Sequence, residues 1–460
     1  MKKRTTNLET SSFRDPDGFV YFISGRLYRQ VNLSSKDNFD LLMSSGLYQE
    51  LVEGKLLVSH REVSEKLGLT KDCYKVIKPE LIPFVSYPYE WSFSQLKDAA
   101  LLTLKIQRLS IERGMSLKDA TGFNVQFIGC RPVFIDTLSF ERYREGSPWI
   151  AYRQFCQHFL APLALMAEND LRLNILLADF IDGIPLDLAS KILPAKSKLN
   201  FSLLAHIHLH ASNQKRMASK KVGKGRFNMT RFQMISFITS FESSVKNLKI
   251  GRSQTEWGRY YTFTNYSTKA FGKKQLILKS FLKKINPKLV VDLGANMGRF
   301  SRIATKLGAY TIACDIDPLA VERGYLEGRK EKNSLLLPMI IDLTSPSPSL
   351  GWANEERRSF SLRTRVDCLI ALALIHHLAI SNNLPFGHIA GYFSSLGTWL
   401  IVEFVPKTDS KVEVLLQNRD DIFKNYSKKD FEEEFSKYYK IVGKKSIKES
   451  KRIIYLMKKK

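Results

Sequence analysis

Two kinds of apolar pattern run along this chain. Unbroken apolar runs bounded by glycine or acid predict buried strands, and apolar residues spaced by three and four predict amphipathic helices. In the C-terminal half the runs come in series: Leu289-Val290-Val291, Thr311-Ile312-Ala313-Cys314, Met339-Ile340-Ile341, Val366 to Leu372 and Trp399 to Phe404. The residues after the first run, Arg299 to Ala304, continue with helical character, which predicts strand, turn and helix in succession. Asp430 to Tyr439, with Phe431 and Phe435 on one face, predicts a late helix, and Ser446 to Lys459 predicts a closing strand.

The N-terminal half is patterned differently. Residues 1–17 are polar, and a flexible N-terminus is expected there. Gly18 to Ile23 and Leu27 to Val31 predict two strands joined at Ser24-Gly25-Arg26, and Asp37 to Gly54 predicts helices broken near Gly46. A further strand is expected over Leu81 to Val85, then a connecting segment marked by Tyr87, Pro88, Tyr89 and Trp91. Ser92 with Gln95 three residues on is a capping-box pattern. It opens a helix through Leu96, Ala99, Ala100, Leu104 and Ile111 that ends at Gly114. Next come a loop, Asp119 to Asn124, a strand, Val125 to Ile128, a turn at Gly129-Cys130-Arg131 and a returning strand, Pro132 to Asp136. The chain is then mostly helical from Trp149 to about Ser240, with Lys215 to Arg226 read as a linker or mobile loop. These patterns divide the chain into an N-terminal α+β domain over 18–245 and an α/β domain over 255–460.

The first run of the second domain carries the chemistry. Asp292 ends it, and Gly294, Asn296 and Gly298 follow. Glycines at such a turn let a ligand approach the N-terminus of the next helix. The spacing is Gly-x-x-x-Gly, not the dinucleotide fingerprint. A carboxylate at this turn repels a pyrophosphate and attracts an ammonium or sulfonium. Asp315 closes the second run, where an acidic residue accepts hydrogen bonds from ribose hydroxyls.

On these residues, the stretch from about 255 to 460 resembles the class I S-adenosylmethionine-dependent methyltransferases. The resemblance implies a Rossmann-like seven-stranded sheet closed by two late antiparallel strands, with S-adenosyl-L-methionine as cofactor. Asp292, Gly294, Asn296 and Gly298 match the methionine-binding motif, Asp315 the ribose acid and Asp342 the position near the adenine. His376 and His377 follow the fourth strand, where an acceptor is expected, and are candidate bases. Trp257, Tyr260, Tyr261 and Tyr266 are candidate lid aromatics, and Glu403, inside the fifth apolar run, needs a partner if ionised. Val402 to Lys407, Arg419 to Phe423 and the N-terminal arrangement resemble nodulation-type, NoeA-like methyltransferases.

In the first domain, Asp119 and Asn124 followed by a hairpin delivering Asp136 resemble the catalytic loop of protein-kinase-like and aminoglycoside-phosphotransferase-like folds. That resemblance implies Asp119 as base and Asn124 and Asp136 as metal ligands. No Gly-rich phosphate loop or Val-Ala-Ile-Lys strand accompanies them, and Thr137-Leu138 stands where Phe-Gly is usual. Elsewhere no Cys-x-x-Cys pair or histidine cluster offers a metal site; His206, His208 and His210 alternate and would spread around a helix.

Length and composition set the remaining bounds. At 460 residues with 44% hydrophobic and 25% charged, the chain is a globular protein of more than one domain. A net charge of +26 keeps RNA as a rival acceptor to a small molecule or glycan, although the Lys and Arg residues are spread through both halves. Five scattered cysteines fit reduced thiols and a cytoplasmic location. The apolar segment around Cys368 to Ile380 contains two histidines and is shorter than the ~18 residues of a membrane span, so none is expected. Three functions compete on this reading: a methyltransferase, an ATP-dependent phosphotransferase built on Asp119, Asn124 and Asp136, and a binding protein that has lost its chemistry.

Overall fold

The computed structural model describes residues 6–209, 229–251, 268–417, 421–447 and 450–460. The chain forms two compact units, Met1–Ser253 with Ser349–Arg358, and Gln254–Pro348 with Ser359–Lys460.

The first unit opens with an antiparallel sheet. Its strands are β1 (Thr6–Leu8), β2 (Gly18–Ile23), β3 (Arg26–Asn32), β4 (His60–Val63) and β5 (Cys73–Pro79), in the order β1-β2-β3-β5-β4. β2 and β3 pair from Gly18–Val31 to Ile23–Arg26, the hairpin read from the apolar pattern. The strand expected over Leu81 to Val85 is absent. Pro83 has no N–H to donate to a ladder, and Leu81 and Val85 are exposed. The strand lies earlier, at β5, where Lys75 and Lys78 interrupt the apolar signal around buried Val76 and Ile77. Helices Lys36–Ser44 and Leu47–Glu53 follow β3 and break at Gly46 as expected.

Ser92 caps helix Phe93–Glu112 by the reciprocal box with Gln95, and Leu96, Ala99, Ala100, Leu104 and Ile111 are fully buried. Beyond it come β6 (Met115–Leu117), the hairpin of β7 (Val125–Ile128) with β8 (Arg131–Phe134), and β9 (Phe140–Arg142), which pairs with β6. His206 contacts the Tyr152 hydroxyl at 2.7 Å, while His208 lies between Ser190 and Ser197, so these histidines are partnered by hydroxyls. His210 and Lys215 to Arg226 lie outside the described residues.

Residues 349–358 complete this unit although their sequence neighbours on both sides belong to the other. Glu356, 2% exposed, is held by Arg14 at 2.6 Å, and Thr10 donates to the Glu355 carbonyl at 2.6 Å. The Arg357 guanidinium lies 4.2 Å from the Phe123 ring centroid, and the Arg358 N–H donates to the Tyr87 hydroxyl.

The second unit begins, among the described residues, with helix Thr268–Ile285. Its strands are β10 (Leu289–Leu293), β11 (Tyr310–Asp315), β12 (Leu336–Ile340), β13 (Val366–Ala371), β14 (Gly397–Phe404), β15 (Tyr439–Ser446) and β16 (Ile453–Lys459). They form one sheet in the order β12-β11-β10-β13-β14-β16-β15. β10 to β14 are parallel, and β16 runs antiparallel to both neighbours. Helices cover a parallel sheet, so its strands are apolar throughout; every residue of β11 is buried. Leu278 and Leu282 pack against Val290, Cys368, Ile370 and Ile401 in one such layer. Helix Lys428–Tyr438 buries Phe431 and Phe435, with ring centroids 4.3 Å apart.

Candidate functional site

The site lies at the carboxyl ends of the parallel strands, beside β10, the middle one of the five, where the chain winds outward through β11 and β12 on one side and returns to β13 on the other. As β10 ends, the chain turns through Gly294 (φ +70°), Asn296 (φ +51°) and Gly298 (φ +75°) into helix Ser301–Thr305. Positive φ is open to glycine and tolerated by asparagine, which explains these residue types. A Cβ at Gly294 would also stand 3.1 Å from Leu374 Cδ1, so a side chain there would intrude on the cradle.

The turn is tied to the next strand. The Ala295 N–H donates to the Cys314 carbonyl at 2.9 Å, and the Asn296 N–H donates to Asp315 Oδ2 at 2.7 Å. Asp315 Oδ1 accepts from the Asp317 N–H at 3.0 Å. Burial pushes this carboxyl up to about 6, although the backbone N–H groups of Asp317, Asn296 and Ile316 favour its charged form. Asp292 lies beneath the turn and accepts the Ser301 hydroxyl at 2.6 Å. Burial raises it to about 7, against the Ser301 bond and the charge of Lys274, which pull it down.

A cavity of about 420 Å³ opens here, within the usual range for small-molecule sites. Gly294, Asn296, Asp315 and Asp342 form one wall, the last accepting both the N–H and the hydroxyl of Thr344. Asp292 and Gly298, expected in the cofactor motif, are not among the residues that line the cavity. Leu374, His377, Leu378, Ser381, Asn382 and Leu415 line it too, as do Phe271, Lys274 and Phe300. A polar wall that accepts hydrogen bonds, a glycine cradle and apolar flanks fit an adenosyl group with an amino-acid tail.

The two candidate histidines pack against each other, with ring centroids 4.2 Å apart, but they are placed differently with respect to the cavity. His377 faces the cavity. His376 is turned into the packing, 1% exposed, its Nδ1 without a hydrogen-bond partner among the described residues. Burial lowers both, His376 well below the ordinary histidine value and His377 to about 4, so each is a neutral imidazole at pH 7.

One pocket residue escaped the sequence reading. Lys274 occupies a position in the apolar face formed by Phe271, Leu278 and Leu282, and that spacing was the available signal. It is also the partner Glu403 requires: Lys274 Nζ lies 2.5 Å from Glu403 Oε2, with both side chains buried. The aromatics Trp257, Tyr260, Tyr261 and Tyr266 lie outside the described residues.

In the first unit, Asp119, Asn124 and Asp136 come together. Asp119 is raised by burial and by the neighbouring Asp136 charge, and Asn124 donates to Ser139 Oγ at 3.2 Å. Asp136 forms an ion pair with Arg29 of β3 and accepts the Leu138 N–H at 2.9 Å and the Ser139 hydroxyl at 2.8 Å. Burial works to raise Asp136, but Arg29 and these hydrogen bonds hold it below the usual carboxylate value. The oxygens of this carboxylate are engaged by Arg29, Leu138 and Ser139. Among the described residues, no group of three or more His, Cys, Asp or Glu is placed to hold a metal ion. None of the described helices is long and apolar enough to cross a membrane.

The sheet order with its reversed β16, the glycine turn after β10 and the acid ending β11 define a class I S-adenosylmethionine-dependent methyltransferase. No family model matches the chain. It is 33% identical over 452 residues to nodulation protein NoeA of Rhizobium meliloti (strain 1021), spanning 96% of this chain and 94% of that protein, and it belongs to the NoeA family. Among solved structures it is similar to magnesium protoporphyrin IX methyltransferase (ChlM) from Synechocystis PCC 6803 with bound SAH. That match has 18% identity and a TM-score of 0.32, and covers 44% of this chain and 92% of that one. It is similar also to the N-methyltransferase NodS from Bradyrhizobium japonicum WM9, at 9% identity and a TM-score of 0.31, covering 42% of this chain and 98% of that one.

Proposed function

We propose that the chain holds S-adenosylmethionine between the turn Gly294–Gly298, Asp315 and Asp342, and transfers its methyl group to a small-molecule or glycan-type acceptor placed against His377. The observation that carries this reading is the shared cavity: Gly294 and Asn296 of the turn, both acids, and His377, Ser381 and Asn382 all line it. Asp315 accepts from the ribose hydroxyls, Asp342 stands at the adenine end, and Asp292 supplies negative charge beneath the methionine end.

The bound cofactor supplies an activated methyl on a sulfonium. What remains for this chain is to orient an acceptor and exclude water. His377, near 4 and neutral, is a weak general base but a good hydrogen-bond partner for a hydroxyl or amine. Its role here is therefore to aim the acceptor atom. Ser381 and Asn382 offer uncharged groups of the kind that bind polyhydroxyl ligands. Among the described lining residues the cation is Lys274, which is ion-paired. Binding an RNA backbone calls for several exposed cations at the site, and this wall does not provide them.

The test has two stages. Calorimetric titration with S-adenosylhomocysteine should give micromolar binding that Asp315→Ala and Gly294→Ala each weaken at least tenfold. Labelled cofactor would then be offered to oligosaccharide, small-metabolite and RNA fractions. Label entering RNA alone would overturn the acceptor assignment, and absence of binding by the folded wild type would overturn the cofactor site.

A further inference from the structure

The charges behind the cavity form a line. Lys274 is 2% exposed, its Nζ 2.5 Å from Glu403 Oε2 and 4.8 Å from the Phe300 ring centroid. The other Glu403 oxygen lies 3.7 Å from Arg452 Nη1. Arg452 in turn makes a bidentate pair with Asp409 at 2.6 and 2.8 Å. Lys274, Glu403, Arg452 and Asp409 thus alternate in sign and are neutral as a set, all largely shielded from water.

Such a line is a weak source of stability, because apolar residues of similar volume commonly serve as well. Lys274 differs from the rest in lining the cavity. It also interacts electrostatically with Asp292, which is buried and is not among the residues lining the cavity. The amino-acid tail of the proposed cofactor carries a carboxylate and an ammonium. Lys274 is the cation that the described lining presents to that carboxylate.

Resting on the cofactor reading above, we infer that Lys274 receives the carboxylate of the cofactor's amino-acid tail, with Glu403 as a positioning residue that keeps the Lys274 ammonium protonated and aimed at the cavity. Lys274 then separates ligands that carry this carboxylate from adenosyl compounds that lack it. A charge-assisted hydrogen bond in a water-poor site discriminates by roughly 10- to 100-fold.

The experiment compares S-adenosylhomocysteine with its decarboxylated counterpart, which keeps the amine, by calorimetry on the full chain. Wild type should prefer the carboxylate form by about 10- to 100-fold. Lys274→Met with Glu403→Gln removes the pair together, leaving Arg452 with Asp409. In this variant the preference should fall to within about threefold, with affinity for the decarboxylated ligand nearly unchanged. Lys274→Arg keeps the charge and should keep most of the preference; it serves also if the double variant does not fold, read against Lys274→Gln, which should lose the preference. A folded Lys274→Gln or double variant that retains the wild-type preference would overturn the assignment while leaving the cofactor site standing. A wild type that binds neither ligand would overturn the cofactor reading itself, and this inference with it.

Discussion

The backbone N–H of Asn296 donates to the carboxylate of Asp315 at 2.7 Å, so the turn after β10 and the acid ending β11 are one hydrogen-bonded unit. The ligand-facing geometry of either residue depends on the other. Asp315→Asn replaces one acceptor oxygen with a donor, which then opposes the N–H of Asn296 or of Asp317. The expected outcome is a loss of S-adenosylhomocysteine affinity of roughly 30-fold or more, with a destabilisation of about 1–3 kcal/mol. Calorimetry and thermal unfolding would measure the two.

Asp292 couples binding to pH. Its carboxyl is pushed up to about 7, and only the charged form attracts an ammonium. Affinity for S-adenosylhomocysteine should therefore rise as pH increases from 6 to 8, and Asp292→Asn should flatten that dependence at weaker affinity. Stability runs the other way. The unfolded chain releases this proton near the ordinary aspartate value of 3.8, whereas the folded protein holds it to about 7. Folding stability from this group is full below the lower value, declines as pH rises between the two, and is level above. Ligand-free Asp292→Asn should thus be more stable than wild type at pH 8, by at most about 2–4 kcal/mol.

The two histidines should respond differently to substitution. His377→Ala removes a group facing the cavity and should lower kcat/KM for methyl transfer while leaving S-adenosylhomocysteine affinity within a few-fold. His376→Ala opens a void behind β13 and should lower the melting temperature by an amount equivalent to about 1–3 kcal/mol. With His377 near 4, no histidine titration step is expected in the rate between pH 6 and 9. A rate that climbs with an apparent pKa of 6 to 7 and loses that step in His377→Gln would show His377 acting as the base.

In the first unit, Arg29 balances Asp136 in a largely buried ion pair and also lies 3.0 Å from Asp15. Arg29→Met leaves Asp136 charged and uncompensated, and a cost of about 3–5 kcal/mol is expected. Adding Asp136→Asn should restore a good part of it. Urea unfolding of the two variants beside wild type measures the difference.

What was legible in the sequence was local. Asp292, Gly294, Asn296 and Gly298 lie within seven positions, and a strand that ends in a tight turn imposes its residue types on so short a stretch. Asp315 was legible because the second strand ends on it. Lys274 was not, since a lone cation in an apolar helix face has no meaning until the chain brings up Glu403, 129 positions away. The choice between His376 and His377 depends on the phase of a helical turn, which adjacent identical residues do not reveal. Leu81 to Val85 shows the opposite failure: apolar composition without a strand partner, interrupted by Pro83.

The excursion of residues 349–358 into the first unit bears on how this chain can be divided and inherited. The polypeptide passes from the first unit to the second, back, and out again. A single break anywhere therefore leaves at least one fragment without a piece of its own compact unit. A truncation beginning near residue 254 would carry Glu356 and Arg357 without the Arg14 and Phe123 that receive them. The two units are thus not modules that one recombination event could exchange. The alignment with NoeA likewise runs across both units.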